Sequence, residues 1–378
     1  MFRVAALWRA RLPGAGVFRL RPGPALLLLA GLALCLGGCD IGYLSRAAYE
    51  EGRLLWERRP VAAELADPTL SGEAREKLKT ALAVRRFARD RLGLNVGGAY
   101  TTVSEVDPGA TVWVLIACPK DSLTPYQWWF PIVGDVPYRG YFSRARAARK
   151  ARAMERRGYD TLVRSTVAFS TLGYFDDPVL SNMLSLDRVE LAAVLIHELF
   201  HRTFFLAGDA RFDESAASYL GARGAEEFFA ASQGAASADA KAARALFAAD
   251  IEFARFLAQS EARLLRLYAS RLAPGELMAR REAAFAAIRQ DYVRLESGFP
   301  GLRRFDLDRR PINNAVLAHY LVYFHRFDDF AALDRLHHDD LRATIRAVIE
   351  LARANPEDPF YAVWKAGRGP VGRDGAPR

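Results

Sequence analysis

The sequence contains little cysteine and little histidine, and it has one pronounced apolar run. Its 378 residues include three cysteines and six histidines. So few cysteines exclude a disulfide-stapled scaffold, and an apolar fraction of 51% is enough to bury a core instead. The apolar run, residues 25–36, is shorter than the roughly 20 residues that cross a bilayer. It therefore does not predict a membrane-spanning helix.

An excess of positive charge is also missing from most of the chain. The net charge is +9, but residues 1–38 hold five arginines and no acid, so subtracting these five leaves +4 for the remainder. A charge this small does not indicate a nucleic-acid binder, and none is predicted as a partner. The basic stretch 144–157 alternates arginine with alanine, which is typical of a solvated helix face. Contact of that face with anionic lipid headgroups is the alternative.

The amino terminus has the features of an export signal. Five arginines precede the apolar run, and small residues follow it up to Cys39. The stretch Leu36-Gly37-Gly38-Cys39 resembles the lipobox of bacterial lipoproteins. That resemblance implies a signal peptide over residues 1–38, a lipid anchor at Cys39 and a location in the bacterial cell envelope, facing the periplasm. The alternative is an ordinary signal peptide that contains a cysteine.

The patterning beyond the leader predicts an α+β fold that is mainly helical. Strands are expected at 99–106, 111–117 and 159–168, with an irregular aromatic segment at 128–142. Helices are expected at 72–92 and 143–157, and they dominate from residue 186 onward. Asp187 with Glu190 three residues later predicts a helix start. Residues 39–366 are predicted to form one domain, and the polar tail 367–378 is predicted to be disordered.

The strongest functional signal is the pentapeptide His197-Glu198-Leu199-Phe200-His201. Histidines at i and i+4 lie on one face of a helix, about one turn apart, so both imidazoles can bind one zinc ion. Glu198 lies beside them and is predicted to act as a general base toward water. The apolar residues before the motif predict a buried helix, where unpartnered histidines would be costly.

A catalytic zinc site needs a third protein ligand, and two adjacent acids are candidates. Asp213 and Glu214 follow His201 closely, and a turn near Gly208 would let a second helix fold back on the first. Small residues after Glu214 permit close approach of the two helices. The spacing alone leaves both acids open, and both also suit the first turn of a helix.

Several stretches together resemble the bacterial putative aminopeptidase family, a group of predicted zinc lipoproteins of the zincin type. The matching stretches cover most of the chain after the leader; they are 36–39, 128–134, 137–142, 170–178, 197–201, 213–215, 313–315 and Tyr323. The resemblance implies a zincin-like metallopeptidase with a small sheet packed near the helix of the motif. It favours Glu214 as the third ligand beside His197 and His201. An asparagine usually precedes this glutamate in the family, whereas Asp213 stands here and could support the site from behind.

The resemblance also implies Tyr323 as the donor to the anionic oxygen of the reaction intermediate. His319 and His325 are the alternatives.

The predicted activity is zinc-dependent hydrolysis of peptides, in the family's sense an aminopeptidase. An aminopeptidase needs an acid for the substrate's free amine, and Asp176 or Asp177 could serve. Two alternatives remain: an endopeptidase of the cell envelope, or a non-catalytic envelope lipoprotein that holds zinc. Residues 170–173 could present the strand edge along which zincin sites hold a substrate, or they could form a tight turn. The oligomeric state is not predicted.

Overall fold

Helices make up most of the chain that the computed structural model describes, and the predicted α+β class with a small sheet is confirmed. The described residues are 56–106, 113–130, 134–141, 143–165 and 176–368. The leader, Cys39 and the expected substrate edge at 170–173 lie outside them. So do residues 369–378 of the predicted tail, whose first residue, Gly367, ends the last helix.

The helices follow one another along the described chain after a short first strand. They are α1 (Val61–Ala66), α2 (Gly72–Phe87), α3 (Arg144–Glu155), α4 (Arg188–Thr203), α5 (Ala210–Gln233), α6 (Ala238–Tyr268), α7 (Pro274–Gly298), α8 (Asn314–Tyr323), α9 (Phe327–Leu336), α10 (Leu341–Ala354) and α11 (Pro359–Gly367). A π-helical turn, Ala88–Leu92, extends α2 and completes the helix predicted at 72–92. Short 3-10 helices at Ser181–Ser185 and Pro300–Phe305 precede α4 and follow α7.

Short strands form three small sheets in the part of the chain that the structure describes. The strands are β1 (Arg59–Pro60), β2 (Thr102–Ser104), β3 (Trp113–Pro119), β4 (Trp128–Phe130), β5 (Gly134–Val136), β6 (Arg139–Tyr141), β7 (Tyr159–Ser165) and β8 (Val179–Leu180). The sheet orders are β1-β2-β8, β6-β3-β7 and β4-β5. Among the described strands, only β2 and β8 pair in parallel. The expectation that 128–142 is irregular was wrong, because β4, β5 and β6 all fall there. The strands predicted at 99–106 and 111–117 belong to different sheets.

Helix α4 begins where the sequence predicts. The Asp187 carboxylate accepts hydrogen bonds from the backbone N–H groups of Val189 and Glu190, each at 2.8 Å. These bonds satisfy amides that have no partner within the helix. The apolar side of α4 is buried in a cluster shared with α2, α5, α10 and α11. A second buried cluster joins α6, α7 and α8.

Helices α4 and α5 lie unusually close together. The link between them turns at Gly208, whose φ of 98° is the left-handed conformation that glycine tolerates. Further along α5, a Cβ atom placed on Gly221 would lie 2.7 Å from the Ala193 carbonyl oxygen and 3.1 Å from His197 Cβ. Glycine at position 221 therefore sets the separation of the two helices beside the histidine motif.

The sheet β6-β3-β7 packs against α8, and α8 packs in turn against α5. Asn314 holds this arrangement at the start of α8. Its side-chain amide donates to the carbonyls of Pro119 and Ser122, and its oxygen accepts from the Tyr268 hydroxyl. Its backbone N–H donates to the buried Asp160 carboxylate at 2.9 Å. The predicted small sheet is thus connected to the histidine motif through α8.

Cys118 on β3 is fully buried as a free thiol, and burial raises its pKa to about 12. Within the described ranges, no helix is both long and apolar enough to cross a membrane.

Candidate metal centre

His197 and His201 point their Nε2 atoms at a common place. The two nitrogens, one turn apart on α4, lie 3.0 Å from each other. His201 is almost fully buried, and His197 is half-buried. The helix spacing read from the sequence therefore brings the two rings together as predicted.

Glu214 completes a cluster with the two histidines from the first turns of α5. Its Oε2 atom lies 3.2 Å from His197 Nε2 and 3.5 Å from His201 Nε2. Glu214, Ser218 and Gly221 share the face of α5 that meets α4, at spacings of four and seven residues. Because α4 and α5 approach closely at Gly221, the Glu214 carboxylate reaches both histidine rings without extending into solvent.

The separations of these three donor atoms fit a tetrahedral metal ion. In such a site, with metal–ligand distances of about 2.0–2.2 Å, two ligand atoms lie roughly 3.3–3.6 Å apart. The three observed separations, 3.0, 3.2 and 3.5 Å, are close to that range. Two imidazoles and one carboxylate are also a donor set that zinc accepts in catalytic sites. His197, His201 and Glu214 are the group of side chains within the described ranges that could hold a metal ion.

The electrostatics of the cluster follow from this proximity. Burial alone would raise the pKa of Glu214, but hydrogen bonds and charges from His197 and His201 outweigh it and hold the pKa well below its usual range. Burial alone would lower the pKa of His201, and Glu214 reverses that shift so that the pKa is raised. The carboxylate is therefore ionised and available as a ligand.

Asp213, the competing ligand, lies elsewhere. Both of its carboxylate oxygens accept from the Leu206 backbone N–H, at 2.9 and 3.2 Å. Burial raises the pKa of Asp213 to about 7, although the Leu206 hydrogen bond and the His201 charge oppose the shift. Asp213 and Glu214 are consecutive on α5 and therefore point in different directions. Asp213 holds the α4–α5 link, whereas Glu214 faces the two histidines.

Ser218 lies behind the cluster and was missed in the sequence analysis. Its Oγ atom is 3.4 Å from His197 Nδ1. When His197 uses Nε2 toward a metal, Nδ1 carries the proton and donates to Ser218, which fixes the orientation of the ring. The sequence signal for it was available, because Ser218 stands one helical turn after Glu214.

Glu198 lies next to His197 on α4, half-buried, and its surroundings include an unpredicted tyrosine. Tyr100 is buried and has a φ of 60°, which is unusual for a residue with a side chain. Burial raises the pKa of Tyr100 well above its usual value, and the nearby charges of Glu198 and Asp177 raise it further. The Tyr100 phenol therefore stays protonated near the Glu198 carboxylate. No short-range sequence pattern indicated this residue.

Tyr323, at the end of α8, faces the cluster. Its ring is nearly parallel to that of His197, with centroids 6.5 Å apart. Burial raises the pKa of Tyr323 well above its usual value, and the Glu214 charge raises it further, so the hydroxyl keeps its proton. His319 packs beside Tyr323, with ring centroids 5.3 Å apart. His325 packs instead against Phe360, and burial lowers its pKa to about 4.

A comparison with protein families now identifies the chain's relatives. The sequence model of the family described as "Putative aminopeptidase" matches residues 42–360. The chain belongs to this family. No curated protein and no solved structure matches the chain significantly. The family's name indicates a peptidase, and the matched range includes every residue of the cluster and Tyr323.

The two acids considered for the substrate amine of an aminopeptidase are placed differently. The Asp176 carboxylate accepts from the Arg202 guanidinium and from the Gly98 backbone N–H, both at 2.9 Å. A Cβ atom on Gly98 would lie 2.4 Å from Asp176 Oδ2, so glycine is needed there. Asp177 is buried, and its backbone carbonyl accepts from the Tyr100 N–H at 2.7 Å. The carboxylate of Asp176 is therefore already engaged by an arginine, which weakens it as the amine-binding group.

Proposed function

We propose that this member of the aminopeptidase family is a zinc-dependent peptidase with a zincin-like site. The observation that carries the proposal is the convergence of His197 Nε2, His201 Nε2 and Glu214 Oε2 at separations suited to one tetrahedral ion. These three residues would hold the zinc. Two histidines and one carboxylate leave a coordination position open, which is typical of catalytic rather than structural zinc.

The zinc ion, when bound, would polarise a peptide carbonyl and make a water molecule more acidic. Glu198 takes the proton of that water as it attacks the carbonyl carbon, and then passes it to the departing amine nitrogen. Tyr323, which remains protonated, donates a hydrogen bond to the oxygen on which negative charge develops. Ser218 keeps the His197 ring in the orientation that presents Nε2.

The direct test combines metal analysis with hydrolysis of a peptide panel. The purified chain is expected to contain about one zinc per molecule and to hydrolyse at least one class of peptide. A chelator should abolish the hydrolysis, and added zinc should restore it, because binding of the metal ion at this site is reversible. A preparation that carries no divalent metal, or whose activity is indifferent to chelation, would contradict the proposal.

The aminopeptidase activity is the more specific part of the proposal, and it rests on the family name. Matched peptides with a free or an acetylated amino terminus separate it from the endopeptidase alternative. An aminopeptidase cleaves only the free form after its first residue, whereas an endopeptidase cleaves both at an internal bond. A chain that binds zinc but cleaves neither would instead be the non-catalytic zinc lipoprotein.

The location in the cell envelope is a separate part of the proposal. It rests on the export signal at residues 1–38 and on the cysteine that follows it. We propose that Cys39 carries the lipid that holds the peptidase at the membrane, facing the periplasm. Metabolic labelling with a tagged fatty acid should mark the wild-type chain and not Cys39→Ser. Equal labelling of both would show that Cys39 is not the anchor.

A further inference from the structure

An arginine without a carboxylate partner lies beside the candidate metal centre. Along β7, alternate residues point to the same face of the sheet, so Arg164 lies on the side of Asp160 and Leu162 that packs against α8. Its guanidinium donates a hydrogen bond to His319 Nε2 on α8. Arg164 therefore stands at the end of β7 nearest the Tyr323 end of α8.

The contacts of Arg164 differ from those of the other arginines near the site. Arg202 pairs with Asp176, and Arg281 pairs with Asp160. Arg164 is half-buried, and no carboxylate in the described ranges pairs with it. Its hydrogen-bond acceptors are His319 and the Ser165 carbonyl, which are both uncharged. A half-buried cation without a counter-charge is costly, which suggests that an anion is bound when the site is in use.

Ring contacts connect Arg164 to the cluster of His197, His201 and Glu214. His319, which accepts from Arg164, lies 5.3 Å from Tyr323 between ring centroids, and Tyr323 lies 6.5 Å from His197. One residue of an extended peptide spans at most about 3.3–3.6 Å. A carboxylate two or three residues beyond the cleaved bond can therefore cover the distance from the cluster to Arg164.

The net charge of the site also favours an anionic group of the substrate as the partner of Arg164. A divalent ion would be balanced by the carboxylates of Glu198 and Glu214, so Arg164 would leave the site with a net positive charge. Guanidinium groups bind carboxylates through paired, charge-assisted hydrogen bonds. From this placement we propose that Arg164 binds a carboxylate of the substrate, on the side of the cleaved bond toward the peptide's carboxyl terminus. The inference rests on the proposed peptidase function.

This carboxylate has two sources, the free carboxyl terminus of a short peptide or an acidic side chain. Matched tripeptides with a free or an amidated carboxyl terminus test the first. Amidated tripeptides with Glu or Gln at the third residue test the second. With zinc-loaded full-length protein, the carboxylate member of one pair should have a kcat/KM on the order of tenfold to a hundredfold higher, which is the usual contribution of a hydrogen bond to a charged group.

Variants of Arg164 show whether it causes that preference. Arg164→Gln should lower kcat/KM for the carboxylate peptide to the level of its neutral partner and leave the neutral peptide within about threefold of wild type. Arg164→Lys keeps the charge and should retain part of the preference. Arg146→Gln on the exposed face of α3 is the matched control and should retain all of it. A wild-type protein that treats both pairs equally would overturn the inference, and so would an equal loss on both members of a pair in Arg164→Gln.

A binding measurement separates this inference from the peptidase proposal. Calorimetry with zinc-loaded Glu198→Gln protein should show tighter binding of the carboxylate peptide, and Arg164→Gln introduced into that protein should abolish the difference. If the wild-type chain hydrolyses no peptide but this binding preference is present, the peptidase proposal fails while the role of Arg164 stands. Equal binding of both peptides would contradict the role of Arg164 alone.

Discussion

Two buried polar clusters of this protein differ in how their charges are satisfied. In the first, the Asp160 carboxylate accepts hydrogen bonds from the Arg281 guanidinium and from the backbone N–H of Asn314. In the second, His197, His201 and Glu214 aim three donor atoms at one place. Both clusters lie beside α8, and neither is exposed to solvent for most of its area.

The difference distinguishes a closed buried ion pair from a group of side chains that could hold a metal ion. Around Asp160, each charge has its counter-charge within the chain, which is what a buried ion pair needs in order to persist. In the histidine cluster, three groups that can each offer a lone pair to a metal converge, and a bound cation would complement that arrangement. The comparison predicts that substitutions in the first cluster change stability, whereas those in the second change turnover and metal binding.

The largest effect is expected for Glu198→Gln. The substituted amide cannot accept the water proton, so kcat should fall by about 10²–10⁴-fold while one zinc per chain remains bound. Metal analysis and steady-state kinetics measure the two quantities. Glu190→Gln, just over two turns earlier on α4, is the matched control and should keep kcat. Turnover near wild type in Glu198→Gln, with contaminating peptidases excluded, would remove Glu198 from the mechanism.

Arg281→Met tests the structural cluster. It leaves the Asp160 carboxylate buried without its counter-charge and should lower the free energy of unfolding by about 3–5 kcal/mol. Zinc content should not change, because the proposed ligands lie on α4 and α5. The neighbouring Arg280→Met, which breaks only an exposed pair with Glu276, should cost about 0–1 kcal/mol. Denaturant titrations measure both values, and equal costs would contradict the contrast between the clusters.

Tyr323→Phe should affect turnover and leave stability almost unchanged. Removing one donor to the developing negative charge typically costs about 10²–10³-fold in kcat. Tyr320→Phe on the same helix removes a hydroxyl that donates to the Phe305 carbonyl at 3.2 Å, and it should keep kcat. If the two phenylalanine variants lose the same activity, Tyr323 acts through packing and not as a donor.

Gly221→Ala should have the smallest effect, and it sharpens the link between helix spacing and metal affinity. The added methyl group would lie 2.7 Å from the Ala193 carbonyl, so α4 and α5 must separate, at a cost of about 1–3 kcal/mol. Zinc should bind more weakly because Glu214 moves away from the rings. Gly275→Ala in the first turn of α7 meets no atom within 4 Å and should change stability by less than about 0.5 kcal/mol. Unchanged zinc affinity in Gly221→Ala would show that the spacing is not critical.

The sequence predicted the part of the site that lies on one helix. His197, Glu198 and His201 belong to a local pattern, and helix geometry alone brings the two rings together. The choice between Asp213 and Glu214 depends on the rotation of α5 relative to α4, which local spacing does not fix. The family resemblance favoured Glu214, and it is the Glu214 carboxylate that lies beside both rings.

Residues that reach the site from distant segments were not predictable in the same way. Tyr100 approaches Glu198 from a turn before β2, and Arg164 approaches Tyr323 from the end of β7. Their placement depends on how sheets and helices from distant parts of the chain assemble. The three-residue strands between Trp128 and Tyr141 were missed for a related reason, because they are too short to show an alternating pattern.

Helix α8 connects the two clusters. Asn314 fixes its first turn to β3, β7 and α6, and Tyr323 is its last residue, about 13.5 Å further along at 1.5 Å per residue. A rotation of the helix by a single residue, about 100°, would turn the phenol away from His197 and Glu214. The hydrogen bonds of one buried asparagine therefore set the aim of a hydroxyl group at the opposite end of the same helix.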